Sequence, residues 1–346
     1  MSFITKIMLF ISFLLSIFGI DVPVETEKPQ QYEAWQQVII DNYNEFIEEV
    51  DGDENKIPFI MSSDQHGLVK YNSEVFDFIN DIVDWNKISK IINLGDTVTL
   101  LYNSTDLNEY KYATRTLPTE KRIEITGNHD SHLLLTQPDM SKWFSTYGAV
   151  GTDNMNAFTV TDEQFNVTYL TIDPMSYPWT YANGKISSEQ AEFIISALSA
   201  KDDNDIVLLA HPYLFNDALI RRDGSTFTGS ETFIGDSDVK ASFVDMLKAR
   251  KDRTSGVFTD SEGNTHAYDF SDCTSDFLMT IHGHHHSEGY ETKNGITSFL
   301  CQGYKENNED LDEPNCFYFA YIDTETKTFK CWKNIEGYDA WEISIA

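Results

Sequence analysis

The segment IHGHHHSEG (281–289) carries His282, His284, His285 and His286, four of the nine histidines in the chain. Other short segments bring further groups that can bind a cation. SSDQHG holds Asp64 and His66, NLGDT holds Asp96, and ITGNHD holds Asn128, His129 and Asp130. AHPY adds His211. The donor set is carboxylate, imidazole and one carboxamide, with no thiolate. That chemistry suits Mn, Fe, Zn or a similar borderline ion and excludes copper–thiolate and iron–sulfur sites. Asp64, His66, Asp96, Asn128, His211, His284 and His286 are the candidate metal ligands. They are too many for one tetrahedral site, and they fit two divalent or trivalent ions that share Asp96 as a bridge. Two ions roughly 3.5–4 Å apart can hold a hydroxide between them and clamp a phosphoryl oxygen.

These groups need elements to position them, and the pattern supplies a strand before each. Ile57–Met61, Ile88–Leu94, Arg122–Ile125, Ile206–Ala210 and Phe277–Ile281 are short apolar runs that read as strands, and each runs into one of the clusters. In α/β sheets, sites assemble at the carboxyl ends of strands. One such coincidence is weak, but five are hard to attribute to packing. In an extended segment, residues two apart share a side. That parity pairs Asp64 with His66 and His284 with His286. Glycines 67, 95, 127 and 283 permit close approach or sharp turning beside the clusters.

Helical periodicity marks Gln31–Glu49, Ser73–Trp85, a segment opened by Ser187 with a capping box closed by Gln190, and Lys240–Lys251. The DGDEN at 51–55 ends the first of these and lacks the glycine an EF-hand loop requires. Phe158–Val160 with Val167–Ile172, Thr297–Leu300, Phe317–Ile322 and Thr328–Trp332 add further strands. Strands alternating with helices define an α/β core, with a strand-rich end that points to a second sheet. The stretch 212–273 is long and mixed, with a hairpin expected around DSEGN (260–264). It reads as an excursion over one face of the core, on the substrate side.

With 346 residues, 41% of them hydrophobic, the chain can build a large core. A net charge of −31 disfavours nucleic acid as a partner, because such a surface repels a phosphate backbone. Residues 1–22 form a hydrophobic lead: Ile7 to Ile20 carries no charge, and its length suits an export signal better than a spanning helix. Export or membrane association through residues 3–20 is the expectation, with a cytoplasmic location as the alternative. The expected organisation is then a lead-in with a helix (23–56), one catalytic domain (57–335) and a C-terminal tail (336–346). Cys273, Cys301, Cys316 and Cys331 form no C-x-x-C pair, which excludes a zinc ribbon. Their pairing depends on the compartment.

The ordered set Asp64–His66, Gly95–Asp96, Gly127–Asp130, His211 and Gly283–His286 resembles the pattern of the calcineurin-like metallophosphoesterases: D-x-H, G-D, G-N-H-[DE], a lone His, and G-H-x-H. The resemblance runs from about Ile57 to Tyr304. Each motif alone is common; the order is specific. It implies a four-layer fold, with a two-sheet β-sandwich core flanked by helices. It implies hydrolysis of a phosphomonoester or phosphodiester. Asp64, His66, Asp96 and His286 would hold one metal, and Asp96, Asn128, His211 and His284 the other. His129 would meet the scissile phosphate and protonate or stabilise the leaving oxygen. His129 and Asp130 are the catalytic candidates, and Asn128, His129, Arg221 and Arg222 the substrate-binding ones. His285 and His282 fall to supporting roles.

Departures narrow the family. TVTLL follows Asp96 where protein Ser/Thr phosphatases carry V-D-R-G, and Thr99 stands where purple acid phosphatases place Tyr. GNHDSH departs from the G-N-H-E-F-D of large nucleotidases. AHPY departs from the H-H-P of cyclic-nucleotide phosphodiesterase-like members. The rivals are a metal-dependent nuclease and a non-catalytic metal-binding scaffold of the same fold. His132 and His266 read as surface residues, and Tyr177, Pro178, Trp179 and Tyr181 as packing.

Overall fold

The computed structural model describes residues 32–66, 69–97, 109–110, 112–130, 157–173, 184–215, 218–228, 236–303 and 317–345. Side chains at 69–72 are not described, and neither is anything at Gly67, Thr99, His132, 177–181, Cys316 or the 3–20 segment.

The run KIPFIMS makes strand β1 (Lys56–Ser62), of which all but Lys56 is buried. It lies inside a sheet, parallel to β2 (Lys90–Asn93) and antiparallel to β14 (Phe317–Asp323). Alternation along β1 sends Ile57, Phe59 and Met61 to one face and Ile60 to the other. Both faces are apolar because both are covered, which is why the strand reads as a continuous run rather than an alternating one. Beyond β2 comes β3 (Arg122–Glu124), again parallel. Beyond β14 come β15 (Thr328–Lys333) and β16 (Trp341–Ser344), both antiparallel. Within the stretch 336–346 expected as a tail, WEIS is therefore the edge strand of the first sheet.

The second sheet has the order β4-β5-β6-β11-β13-β12-β7-β8. Its members are β4 (Thr159–Asp162), β5 (Val167–Thr171), β6 (Asp205–Ala210), β7 (Leu219–Ile220), β8 (Thr226–Phe227), β11 (Phe277–His282), β12 (Gly289–Lys293) and β13 (Ile296–Leu300). The parallel centre is β5, β6, β11 and β13. Between β12 and β13, Asn294 and Gly295 take φ of 52° and 76°. Two positive φ values in succession are what a tight Asn-Gly hairpin turn needs.

Alternation along β6 sends Val207 and Leu209 inward to meet Phe59, Ile92 and Phe329 of the first sheet. Ile206, Leu208 and Ala210 point outward to α3 (Ser188–Leu198) and α4 (Ser237–Asp252). The outer face of the first sheet is covered by α1 (Ala34–Val50) and α2 (Val69–Ile82), through Ile39, Phe46, Val75 and Ile79. The result is helix, sheet, sheet, helix: the four-layer sandwich expected. Phe59 meets Tyr169 of the other sheet edge-to-face at 6.5 Å, one of the contacts that lock the two sheets.

Local details differ from expectation in three places. Ser187 does cap α3, accepting from the Gln190 N–H at 3.2 Å. The Gln190 side chain does not close a box; its Nε2 donates to the Asp173 carbonyl at 2.8 Å and ties α3 to the end of β5. His266 is not a free surface residue, since its Nε2 contacts Asp260 Oδ2 at 2.8 Å. The expected hairpin is β9 (Ser255–Thr259) with β10 (Thr265–Asp269). Together with α4 it packs on the outer face of the second sheet, so of the described part of 212–273 it is the segment near Arg221 and Arg222 that reaches toward the clusters.

Cys273, Cys301 and Cys331 are buried, and no disulfide joins them to one another. No helix among the described residues is long and apolar enough to cross a membrane.

Candidate metal centre

Every cluster singled out in the sequence follows a strand end. Asp64 and His66 follow β1, Asp96 follows β2, and Asn128–Asp130 follow β3; His211 follows β6, and His284 and His286 follow β11. The carboxyl ends of the two sheets meet at one rim, and backbone hydrogen bonds join neighbouring loops within each sheet. Asp64 N–H donates to the Gly95 carbonyl at 2.9 Å, His66 N–H to that of Asp96 at 2.9 Å, and Gly283 N–H to that of His211 at 2.9 Å.

The side chains converge in two overlapping groups. Asp64, His66, Asp96 and His286 form one; Asp96, His211 and His284 form the other; the ligand atoms within each lie no more than 4.8 Å apart. Asp96 belongs to both. Its Oδ2 is 3.7 Å from His66 Nε2 and 3.2 Å from His211 Nε2. Asn128 joins the second group, its Oδ1 3.1 Å from His211 Nε2. His66 and His286 bring their Nε2 atoms to 3.1 Å, and His284 Nδ1 lies 3.2 Å from His211 Nε2. Two ligands held about 2.1 Å from one ion stand roughly 3.0–3.4 Å apart, so these are the spacings of a coordination shell. All seven expected ligands are brought together.

The surroundings aim each donor. Asp64 Oδ2 accepts from Ser63 Oγ at 2.5 Å and from the His284 N–H at 2.9 Å. Its Oδ1 is buried with no hydrogen bond, facing His286 Nε2 at 3.2 Å. An orphaned carboxylate oxygen costs free energy in a protein interior unless a cation satisfies it. His211 donates Nδ1–H to the Leu94 carbonyl at 2.7 Å, which turns Nε2 toward the cluster. Asp96 Oδ1 accepts from the His129 N–H at 2.8 Å, leaving Oδ2 for the shared position. The donor types, their spacing and the orphaned oxygen fit the binding of divalent metal.

Electrostatics follow from this crowding. Burial opposes the charge on His211, but Asp96 and Asp64 outweigh it and lift its pKa to about 10. Burial pushes His66 down to about 4, against the pull of the same two carboxylates. Burial raises the carboxyl of Asp64, yet His286, His211 and Ser63 hold it well below the usual range.

The backbone differs from the extended geometry expected. Asp64, His66, Asp96, His284 and His286 have φ of 51°, 45°, 52°, 82° and 50°. Asp64 and His66 do share one donor group, but through left-handed turns rather than strand parity, whereas His284 and His286 fall into different groups. Two glycines make the approach possible. A Cβ on Gly127 would run into the Asp96 carboxylate, and one on Gly283 into Ser63 Oγ, with Asp64 Oδ2 at 3.0 Å.

His129 is half-buried while its neighbours Asn128 and Asp130 are buried. Its ring stands edge-on to His66 at 4.5 Å. Asp130 Oδ2 accepts the Gly127 N–H at 3.0 Å and the Thr97 N–H at 3.2 Å, so it clamps the loops after β2 and β3 together. His282 is buried, with Nε2 2.8 Å from Thr280 Oγ1, and burial lowers its pKa to about 3, so it stays neutral. His285 sits against Tyr213 at 6.4 Å. Arg222 forms a two-point pair with Glu288, at 2.6 and 3.3 Å, and Arg221 lies 4.4 Å over the Phe227 ring. Both reach the wall of a cavity of about 580 Å³ that His286 also lines.

Sequence reasoning missed Ser63, although it stands next to Asp64; a serine beside a ligand gives no signal of its own. It also missed Lys333, which the chain delivers to the cavity wall from β15.

No protein-family model and no curated protein sequence matches the chain. Among solved structures it is similar to a purple acid phosphatase from yellow lupin (Lupinus luteus) seeds, at 12% identity and a TM-score of 0.48, over 84% of this chain and 54% of that one. It is similar to GAP50, the anchor in the inner membrane complex of Plasmodium, at 10% identity and a TM-score of 0.45, over 84% and 89%. A putative 5'-nucleotidase from Staphylococcus aureus matches at 15% identity and a TM-score of 0.43, over 84% and 54%. The chain thus spans about half the length of the lupin protein. Likenesses this distant add nothing to what the sheets and the cluster themselves display.

Proposed function

We propose that the chain is a metal-dependent phosphoric ester hydrolase, acting on a phosphomonoester or phosphodiester. The observation that carries this reading is the pair of donor groups sharing Asp96. Asp64, His66, Asp96 and His286 would hold one ion, and Asp96, Asn128, His211 and His284 the other. Bound there, two ions supply a nucleophile at neutral pH and neutralise charge on the phosphoryl oxygens.

The chain's own residues do the rest. Half-buried His129, beside His66, would meet the substrate and give a proton to the leaving oxygen. Asp130 acts as a positioning residue, since its carboxylate ties the Asp96 loop to the Asn128–His129 loop. Ser63 and the His284 N–H fix one oxygen of Asp64 and leave the other for the ion. Arg221 and Arg222 stand at the wall of the adjoining cavity, as contacts for the part of the substrate beyond the phosphate.

The test is hydrolysis of p-nitrophenyl phosphate and bis-p-nitrophenyl phosphate after chelation and Mn²⁺ readdition. Metal-dependent turnover of either is expected, and the better substrate separates phosphatase from phosphodiesterase. His129→Ala should lower kcat by about 10²-fold or more, the usual worth of a positioned proton donor. Turnover unchanged by that variant would refute the role given to His129. Metal binding without turnover of any ester would favour the scaffold reading.

A further inference from the structure

The cavity of about 580 Å³ next to the metal centre is not explained by holding ions. His286 forms part of its wall, so it opens directly from one metal-binding group. The surface as a whole is strongly acidic, at −31, with 25 lysines and arginines. Three of those 25, Arg221, Arg222 and Lys333, line this one cavity.

The charges differ in depth. Asp223, Asp339 and Arg221 sit at the exposed rim, where solvent and salt screen them. The inner wall holds Arg222, Glu288 and Lys333, with side chains 18%, 7% and 1% exposed. Glu288 gives both carboxylate oxygens to Arg222. Lys333 Nζ is 3.9 Å from Glu288, beyond hydrogen-bond reach. Its close contacts are a neutral amide, Gln302 Oε1 at 2.5 Å, and the face of Tyr338 at 4.1 Å. Arg222 and Lys333 share the single carboxylate of Glu288, which leaves these three inner-wall groups with one positive charge in excess. Burying such a charge is costly unless an anion meets it.

We infer that this cavity is a subsite for a second anionic group on the substrate, a phosphate or carboxylate carried by the alcohol that leaves, with Lys333 as its contact. The inference rests on the phosphoesterase reading for the identity of the substrate, but not for the existence of the anion site. Tyr338, 42% exposed, with Lys333 over its ring, forms another part of the wall and holds the ammonium in place.

Two measurements test it. First, the metal-free protein is titrated by calorimetry with inorganic phosphate and with benzoate at constant ionic strength. Saturable binding of at least one is expected, weakened tenfold or more in Lys333→Met and retained in Lys333→Arg. Gln302→Glu, which places a carboxylate beside the ammonium without changing shape, should cause the same loss and stands in if Lys333→Met does not fold. Whichever probe binds identifies the group as phosphate or carboxylate. No binding in the native chain, or equal binding in these variants, would overturn the inference.

Second, the Mn²⁺-loaded protein is assayed with phenyl phosphate, 4-carboxyphenyl phosphate and 1,4-phenylene bisphosphate. The native chain should prefer an anionic substrate, and Lys333→Met should raise KM for it tenfold with kcat and the phenyl phosphate rate unchanged. A uniform change across all three would overturn the inference. Absent turnover with Lys333-dependent anion binding would instead count against the hydrolase reading and leave the subsite standing.

Discussion

Ser63→Ala removes one hydroxyl from beside the metal centre and leaves every expected ligand in place. Asp64 Oδ2 accepts two hydrogen bonds, from Ser63 Oγ at 2.5 Å and from the His284 N–H at 2.9 Å. The variant keeps only the second. A hydrogen bond to a charged group is worth about 1.5–3 kcal/mol. The loss falls on the carboxylate form, the form that binds metal. Asp64 is already ionised in the metal-free chain at pH 7, so that energy is lost from both states and metal affinity falls through lost orientation of the carboxylate, by roughly 10–100-fold, the range expected when a partner of a ligand is removed. Asp64 should also titrate at higher pH in the variant, moving the acid limit of metal binding upward. The assay is Zn²⁺ or Mn²⁺ titration against a competing chelator at pH 7, with circular dichroism to confirm the fold. A change smaller than twofold in a folded variant would refute the reasoning. It would mean that the His284 N–H alone orients Asp64.

Further outcomes are expected. Asp96→Asn removes the charge shared by both donor groups, so metal analysis should show both ions lost or weakened together; loss of one alone would mean Asp96 does not bridge. In the metal-free protein, His211 has its pKa raised from the ordinary 6.5 to about 10, so its contribution to stability is full below pH 6.5 and is lost as pH rises toward 10. Chemical denaturation of the metal-free form should show that decline, and His211→Gln should flatten it. Arg250→Met strips hydrogen bonds from Leu198 O, Ser275 O and Ser275 Oγ in a fully buried site, and should cost about 3–5 kcal/mol by urea unfolding while leaving metal binding intact.

The candidate ligand set was legible because it combines residue type with position. An Asp, Asn or His immediately after a run such as KIPFIMS or DIVLLA needs no three-dimensional information to be noticed. The sheets were legible for the same reason, since strands buried on both faces stand out as apolar runs. What was hidden depends on long-range contact. WEIS (341–344) looks like a tail because an edge strand is only half covered, and its pairing with β15 is not written in its own residues. Gln190 has the right offset for a capping box, yet the Asp173 carbonyl offers its amide a buried partner. Lys333 reaches the cavity wall only because β15 runs to the same rim as β11, and no motif marks it. The alternation argument reached Asp64 with His66 for the wrong reason, since side chains two apart can converge through turns as well as through pleats, and it failed for His284 and His286, which the turns send to different groups.

The left-handed backbone at Asp64, His66, Asp96, His284 and His286 sets folding against activity. For an L-residue with a full side chain, that conformation costs roughly 1–2 kcal/mol; glycine bears almost none of it. Replacing His286 or His66 by glycine should therefore relieve local strain in the metal-free chain even as it abolishes the site. Selection for stability alone would drift these five positions toward glycine or asparagine. Retaining aspartate and histidine there is a standing cost, concentrated at the rim where the two sheets meet, and metal binding is the event that returns it. A thermally improved version of this chain is consequently easiest to obtain at the expense of its chemistry.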